Sequence, residues 1–328
     1  MLTPEYIHKL INLELPEAEV KESLIALTPD KIDLLTFKTF VETIGATCIE
    51  GIPNISDNTF IDCSGTGGSG VSHYNTSTAV GFVLAASGIT VTKFGNRAIS
   101  SKSGSFDLLE ALGFSASVPI GEIDNLLQET NLIFLFAPQA YPGLAKLAPI
   151  RNALGVKTIL NYLGPLLNPF KPRYRLMGVS NSYMQRLIAE YLSIHVQPKK
   201  ALIVRSENNL DELSPYSAIS LMEIVAGKTN ETLYRTNTIN KKAPDQIAPL
   251  NPEAGAKALV KLFEGEDCAS DYYELVCLNA GAGLYAAERA GSIEEGRRQA
   301  QQLLKDGSVL KKLNQLRRVY ARFNKCTC

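Results

Sequence analysis

The stretch FIDCSGTGGSGVSHYNTSTAV gathers Gly65, Gly67, Gly68 and Gly70 into one short turn, and such a turn suits phosphate chemistry. Glycine lets the backbone come close to a ligand and adopt positive φ. The exposed amides can then surround phosphate oxygens, helped by the N-terminus of a following helix. A tight turn with no ligand would use the same glycines, so the neighbours must decide. Gly65-Thr66-Gly67-Gly68-Ser69-Gly70 fits G-x-G-x-x-G, the dinucleotide pattern. That pattern needs an acidic residue roughly 20 positions on, for the ribose hydroxyls. Between Cys63 and Phe106 the chain has no Asp or Glu, yet it has Lys93, Arg97 and Lys102. No Gly-Lys-Ser/Thr closes the loop, which excludes a kinase-type P-loop. A sugar phosphate or pyrophosphate remains.

The segment KFGNRAISSKSGS adds to this reading. Lys93 ends an expected strand, where α/β proteins usually place ligand groups. Asn96, Ser100, Ser101, Ser103 and Ser105 supply hydrogen-bonding side chains, and Gly95 and Gly104 supply bends. Farther on, Asp211 and Glu212 sit side by side in Leu-Asp-Glu-Leu. Mg²⁺ prefers oxygen ligands and is commonly held by one or two carboxylates plus substrate phosphates. On its own the pair reads first as a solvated loop. His73 lies inside the glycine-rich region, within possible reach of a phosphate; His8 and His195 read as helix-surface or packing residues.

These side chains need a frame, and the patterning predicts one. The first ~45 residues read as helices, with Thr3-Pro4 and Thr28-Pro29 as caps and Leu34, Phe37, Val41 and Ile44 at helical spacing. Gly51 to Asn58 is turn-rich and reads as a boundary. Strands are expected at Thr59–Cys63, Thr90–Lys93, Asn131–Ala137, Arg175–Val179 and Ala201–Val204, the continuous apolar runs suiting a sheet buried on both faces. Helices are expected at Thr76–Ala86, Phe106–Leu112 (closed by Gly113) and Gly143–Leu154, and they should dominate after Glu253. The alternation predicts an α/β fold with a mainly parallel central sheet.

Composition narrows the function. The chain has 328 residues, 45% hydrophobic and 20% charged, with 33 Lys plus Arg against 33 Asp plus Glu. Zero net charge argues against a general nucleic-acid binder. No apolar run reaches the ~18 residues that span a bilayer. The start shows no basic region followed by an apolar stretch, so no secretion signal is expected. Six scattered cysteines read as free thiols in a reducing cytosol. The expected setting is cytoplasmic.

GTGG, NTST and KFGNRAISSKSGS resemble the anthranilate phosphoribosyltransferases of tryptophan biosynthesis. The likeness continues through APIRNALGVKTILNYLGPLLNP, Leu-Asp-Glu-Leu at 210–213 and NAGAGLYAAERAGSIEEGRRQA, covering roughly residues 56 to 325. The resemblance implies a fold of the nucleoside phosphorylase/phosphoribosyltransferase kind. A small helical domain, 1–55 and joined by helices from about 120–165, would stand beside an α/β domain, 56–328. Homodimers would form through the small domains. The substrates implied are 5-phosphoribosyl pyrophosphate (PRPP) and anthranilate or a similar aromatic, with Mg²⁺ and with no nucleic acid or membrane as partner. Carried over by position, Gly65, Gly67, Gly68, Ser69, His73, Asn75, Thr76, Ser77 and Thr78 would bind PRPP. Lys93, Ser100, Ser101 and Ser105 would hold phosphate oxygens. Ser77, Asp211 and Glu212 would reach Mg²⁺, and Lys93, Asp211 and Glu212 would supply the electrostatics. Gly65, Phe94, Asn96, Tyr141 and Arg151 would meet the acceptor, Arg151 through its carboxylate.

The chain departs from the family pattern at several of these places. Ser69 stands where the family has Asp, Phe94 where it has His, Tyr141 where a His precedes Pro, and Ser206-Glu207-Asn208-Asn209 where it has a His-Gly stretch. Phe94 brings no polar contact, whereas Tyr141 keeps a hydroxyl. Anthranilate is the first expectation. A different aromatic acceptor, a noncatalytic ligand- or nucleic-acid-binding paralogue, and a nucleoside phosphorylase are the alternatives. All the enzymatic readings require Asp211 and Glu212 to lie close to Lys93 and Ser77.

Overall fold

The computed structural model describes residues 2–53, 59–67, 74–98, 103–208, 210–236, 251–266, 268 and 270–323. Gly68, Ser69, His73, Ser100 and Ser101 lie outside the described residues, as do Cys326 and Cys328.

Short apolar runs form the strands β1 (Ile61–Asp62), β2 (Val91–Gly95), β3 (Leu132–Phe136), β4 (Tyr174–Gly178) and β5 (Lys200–Ser206). They pair in parallel, with Ile61 opposite both Val91 and Tyr174, Lys93 opposite Phe134, and Tyr174 opposite Lys200. Two more strands, β6 (Ile219–Val225) and β7 (Lys228–Tyr234), add antiparallel to β5. The sheet order is β3-β2-β1-β4-β5-β6-β7. Sequence patterning did not announce the β6–β7 hairpin. Its turn residues, Ala226 and Gly227, both have positive φ, the geometry that suits two-residue hairpin turns. β7 is polar and exposed along nearly all its length, so it carries no buried alternation to read.

The Thr76–Ala86 helix stands where the sequence placed it. Ser105–Ala111 also forms as a helix, and Gly113 at φ +90° ends it. The Gly113 amide donates to the Glu110 carbonyl and the Phe114 amide to the Leu109 carbonyl, each at 2.9 Å, the paired closure that a left-handed glycine permits.

Two expectations about helix ends need correction. Thr3 caps the Pro4–Ile11 helix by accepting from the Tyr6 amide. Thr28-Pro29 instead opens a single 3-10 turn, and the Leu34–Gly45 helix starts later, where Asp33 accepts from the Thr36 amide at 2.7 Å. The expected Gly143–Leu154 helix is two, Pro142–Lys146 and Ala148–Leu154. Pro149 has no N–H to give the Ala145 carbonyl, so the first helix stops and a second begins with that proline in its first turn.

The helices between 137 and 163 touch the N-terminal helical region directly. The Ile49 amide donates to the Ala140 carbonyl at 3.0 Å and the Ile159 amide to the Leu27 carbonyl at 2.8 Å. Among the described residues no helix is long and apolar enough to cross a membrane.

Candidate active site

β1 lies between β2 and β4. The chain leaves it toward β2 and β3 on one side, then crosses to β4 on the other. In parallel sheets the carboxyl ends at such a reversal open into a crevice, and ligands bind there. A cavity of about 600 Å³ occupies this position, entered by the loop that follows β1.

The loop, the end of β4 and the acidic turn are packed against one another. The Thr66 amide donates to the Gly178 carbonyl at 2.9 Å. A Cβ on Gly178 would fall 1.6 Å from the Asp211 carbonyl oxygen, and one on Gly65 would fall 3.0 Å from Asp211 Oδ2. Gly178 leaves no room for a side chain against the Asp211 backbone, and at Gly65 a side chain would crowd the Asp211 carboxylate. Asp211 and Glu212 are buried to within a tenth of their surface. Ser206 Oγ donates to the Glu212 carbonyl at 2.6 Å, and the Ser214 amide donates to Ser206 Oγ. From the Asp271–Ala286 helix, Asn279 accepts from the Leu213 amide at 3.0 Å and donates to the Leu213 carbonyl at 2.8 Å. The same helix presents Tyr272, stacked on Tyr74 with centroids 4.1 Å apart.

Lys93 and Phe94 project from β2, and Lys93 is only 3% exposed. Lys93, Ser77, Asp211 and Glu212 all line the one cavity. Asn75 and Ser105 line it too, and Asn75 Nδ2 donates to Ser103 Oγ at 3.1 Å. Asp107 ties the ends of the β2 loop together by accepting from the Ala98 and Gly104 amides. Thr76 and Thr78 behave differently: both are fully buried on the inner sides of their helix and neither lines the cavity. Arg97 reaches the cavity edge, but its guanidinium pairs with Glu110 and lies over the Phe136 ring.

Beneath this floor lies a network that the sequence reading missed. Asp62, buried, accepts from the Ser64 amide at 2.9 Å and from Asn168 Nδ2 at 2.8 Å. Asn168 also donates to the Thr92 carbonyl, and Ser64 Oγ lies 2.7 Å from the Phe94 carbonyl oxygen. Burial pushes the Asp62 carboxyl above the usual range, although Ser64, Asn168, Arg175 and Lys93 all pull it down. Asn279 was likewise missed. Its signal was one amide inside the apolar run VCLNAGAGLYAA.

The far wall comes from the helices between 137 and 163. Tyr141 meets Phe94 edge to face, with centroids 5.9 Å apart. Its hydroxyl donates to the Leu167 carbonyl at 2.7 Å, so it offers the cavity a ring and not the polar handle expected of it. Arg151 also lines the cavity, partly buried, and burial pulls its guanidinium below the ordinary arginine value. Among the described residues no carboxylate pairs with it. Asn96 lines the cavity as well, with Oδ1 accepting from the Arg97 amide. His195 packs on Tyr191, away from these groups.

Among the described residues no cluster of three or more His, Cys, Asp or Glu side chains could cage a metal by itself. The oxygen donors that line the one cavity, Asp211 against the glycine turn, the adjacent Glu212 and the Ser77 hydroxyl, fit a hard cation whose remaining ligands come from a phosphorylated substrate.

Residues 57–310 match the family described as glycosyl transferase family, a/b domain. An anthranilate phosphoribosyltransferase from Petrotoga mobilis is 36% identical over 80% of this chain and 76% of its own length. One from Methanococcus aeolicus is 38% identical over 78% of each. The crystal structure of the Thermus thermophilus enzyme of that name superposes with a TM-score of 0.87 at 29% identity, covering 97% of this chain and 94% of the other. The Saccharomyces cerevisiae enzyme, in complex with PRPP and Mg, shares the fold at 21% identity, with a TM-score of 0.87 over 97% and 92% of the two chains.

Proposed function

The chain belongs to the anthranilate phosphoribosyltransferase family, and from that premise we propose that it passes the 5-phosphoribosyl group of PRPP to anthranilate, releasing pyrophosphate, as a step of tryptophan biosynthesis. One observation carries the reading. One cavity is lined by buried Lys93, by Asp211 and Glu212 near its glycine turn, and by Arg151, which comes from the Ala148–Leu154 helix and pairs with no carboxylate among the described residues. Cations from two different elements suit a substrate pair that carries a polyphosphate on one partner and an aromatic carboxylate on the other.

The residues divide the work. The Gly65–Gly67 turn, Asn75, Ser77 and Ser105 would receive the phosphates and ribose, together with Gly68, Ser69, His73, Ser100 and Ser101 where the sequence places them. Thr76 and Thr78 would support that helix end from within. Asp211, Glu212 and Ser77 would hold Mg²⁺. When bound, Mg²⁺ neutralises charge that develops on the departing pyrophosphate. Lys93 adds fixed positive charge on the same side. Arg151 would clamp the acceptor carboxylate through paired donors, with Asn96 beside it and Phe94 and Tyr141 against the ring. The acceptor amine is already neutral near pH 7, so no strong base is required. The catalytic contribution is placement and preorganised charge.

The N-terminal helices, with the helices between 137 and 163, would form a small domain that pairs two copies. Leu35 and Ile25, apolar yet 71% and 47% exposed there, support this. The free thiols of Cys48, Cys63, Cys268 and Cys277 support a reducing, cytosolic setting.

The test is the loss of anthranilate fluorescence on mixing with PRPP, Mg²⁺ and the protein. Absence of turnover at millimolar substrate would reject the assignment.

A further inference from the structure

Resting on the reading above, we propose that the acceptor lobe selects aromatic rings that carry apolar substituents toward Phe94 and Tyr141 and disfavours hydroxylated rings. The two side chains meet at 89° and are 4% and 2% exposed. Phe94 has no polar side-chain atom. The Tyr141 hydroxyl proton is already engaged, donating to the Leu167 carbonyl at 2.7 Å. These two side chains therefore offer a substrate no free donor. Leu144, Ala148 and Leu160 line the same cavity as Arg151, with Asn152 and Asn161 beside them in sequence.

With its carboxylate clamped at Arg151, an acceptor has limited freedom to rotate. The ring carbons turned to Phe94 and Tyr141 meet aromatic carbon. A hydroxyl there loses its water and finds no free donor on these two rings. A methyl group of similar size gains contact instead. Apolar pockets discriminate at this level by roughly ten- to a hundredfold.

The experiment measures kcat/KM, with PRPP and Mg²⁺, for anthranilate and for pairs of anthranilates bearing methyl or hydroxyl on the same ring carbon, taking each free carbon in turn. The expected result is a ten- to hundredfold preference for methyl at one or more of these carbons. Phe94→His, which places a ring nitrogen at the wall, should narrow that ratio. If hydroxylated acceptors match or exceed the methylated ones at every carbon while anthranilate itself is turned over, the selectivity is refuted and the parent activity stands. If the ratio is unmoved in Phe94→His, the wall is not its source. If neither anthranilate nor any analogue reacts, the parent activity falls, and the selectivity with it.

Discussion

Arg151 and Asp62 show two ways of holding charge away from bulk water. Asp62 is surrounded by donors and acts on the fold, fixing the loop after β1 relative to the end of β2. Arg151 has no carboxylate partner among the described residues, and burial alone shifts it. Leaving a cation half desolvated costs stability, which binding an anion recovers. Arg151→Gln should therefore raise the KM for anthranilate roughly ten- to a hundredfold, as expected for losing a charge-assisted hydrogen bond of about 1.5–3 kcal/mol. The KM for PRPP should stay within about twofold of wild type on the same scale. Initial rates with each substrate varied in turn separate the two. An equal rise in both constants would mean that Arg151 supports the fold of the cavity and not the acceptor.

Elements were legible wherever one physical signal dominated. The Thr76–Ala86 helix from Ala79 onward and the β3 run are apolar, and burial decides them. The Gly143–Leu154 stretch looked helical because the break is caused by one missing N–H at Pro149, which spacing does not reveal. The cradle itself was partly visible. Glycines, Lys93 and the Asp211-Glu212 pair could be read as ligand groups, but their meeting depends on β4 and β5 bringing distant segments together. The supports, Asp62, Asn168 and Asn279, were silent because each acts through backbone partners that only the fold supplies.

The Asp271–Ala286 helix is tied to the sheet beyond its C-terminal end, where Glu288 accepts from the Tyr174 hydroxyl at 2.8 Å and pairs with Lys199 at 2.7 Å. Those contacts hold the Glu288 carboxyl below its ordinary 4.5. A lowered acid contributes stability above its unfolded value and loses it as pH falls through the folded one. Glu288→Gln should thus lower stability by about 0.5 kcal/mol at pH 7, a figure that already allows for solvent screening. The difference should shrink with added salt and vanish well below pH 4.5. Urea midpoints of both proteins at neutral and acid pH test this; an unchanged gap in acid would count against the ion pair.

Across the whole molecule, neutral net charge and a cavity with charged walls place the binding energy locally. Ligand that binds only the folded state stabilises by about 2.7 kcal/mol at a hundredfold excess over its Kd. PRPP with Mg²⁺ should then raise the Tm by on the order of 5 °C for a chain of this size. The shift should disappear when EDTA removes the metal. A shift indifferent to EDTA would show that Asp211 and Glu212 do not act through a cation. Tyr272 and Asn279, which secure the loop end and the acidic turn, are seven residues apart, about two turns of one helix. Inserting or deleting a single residue between them would rotate one anchor by about 100° relative to the other. Length variation in this family's relatives of the chain should therefore spare that segment, and drift there should proceed by substitution alone.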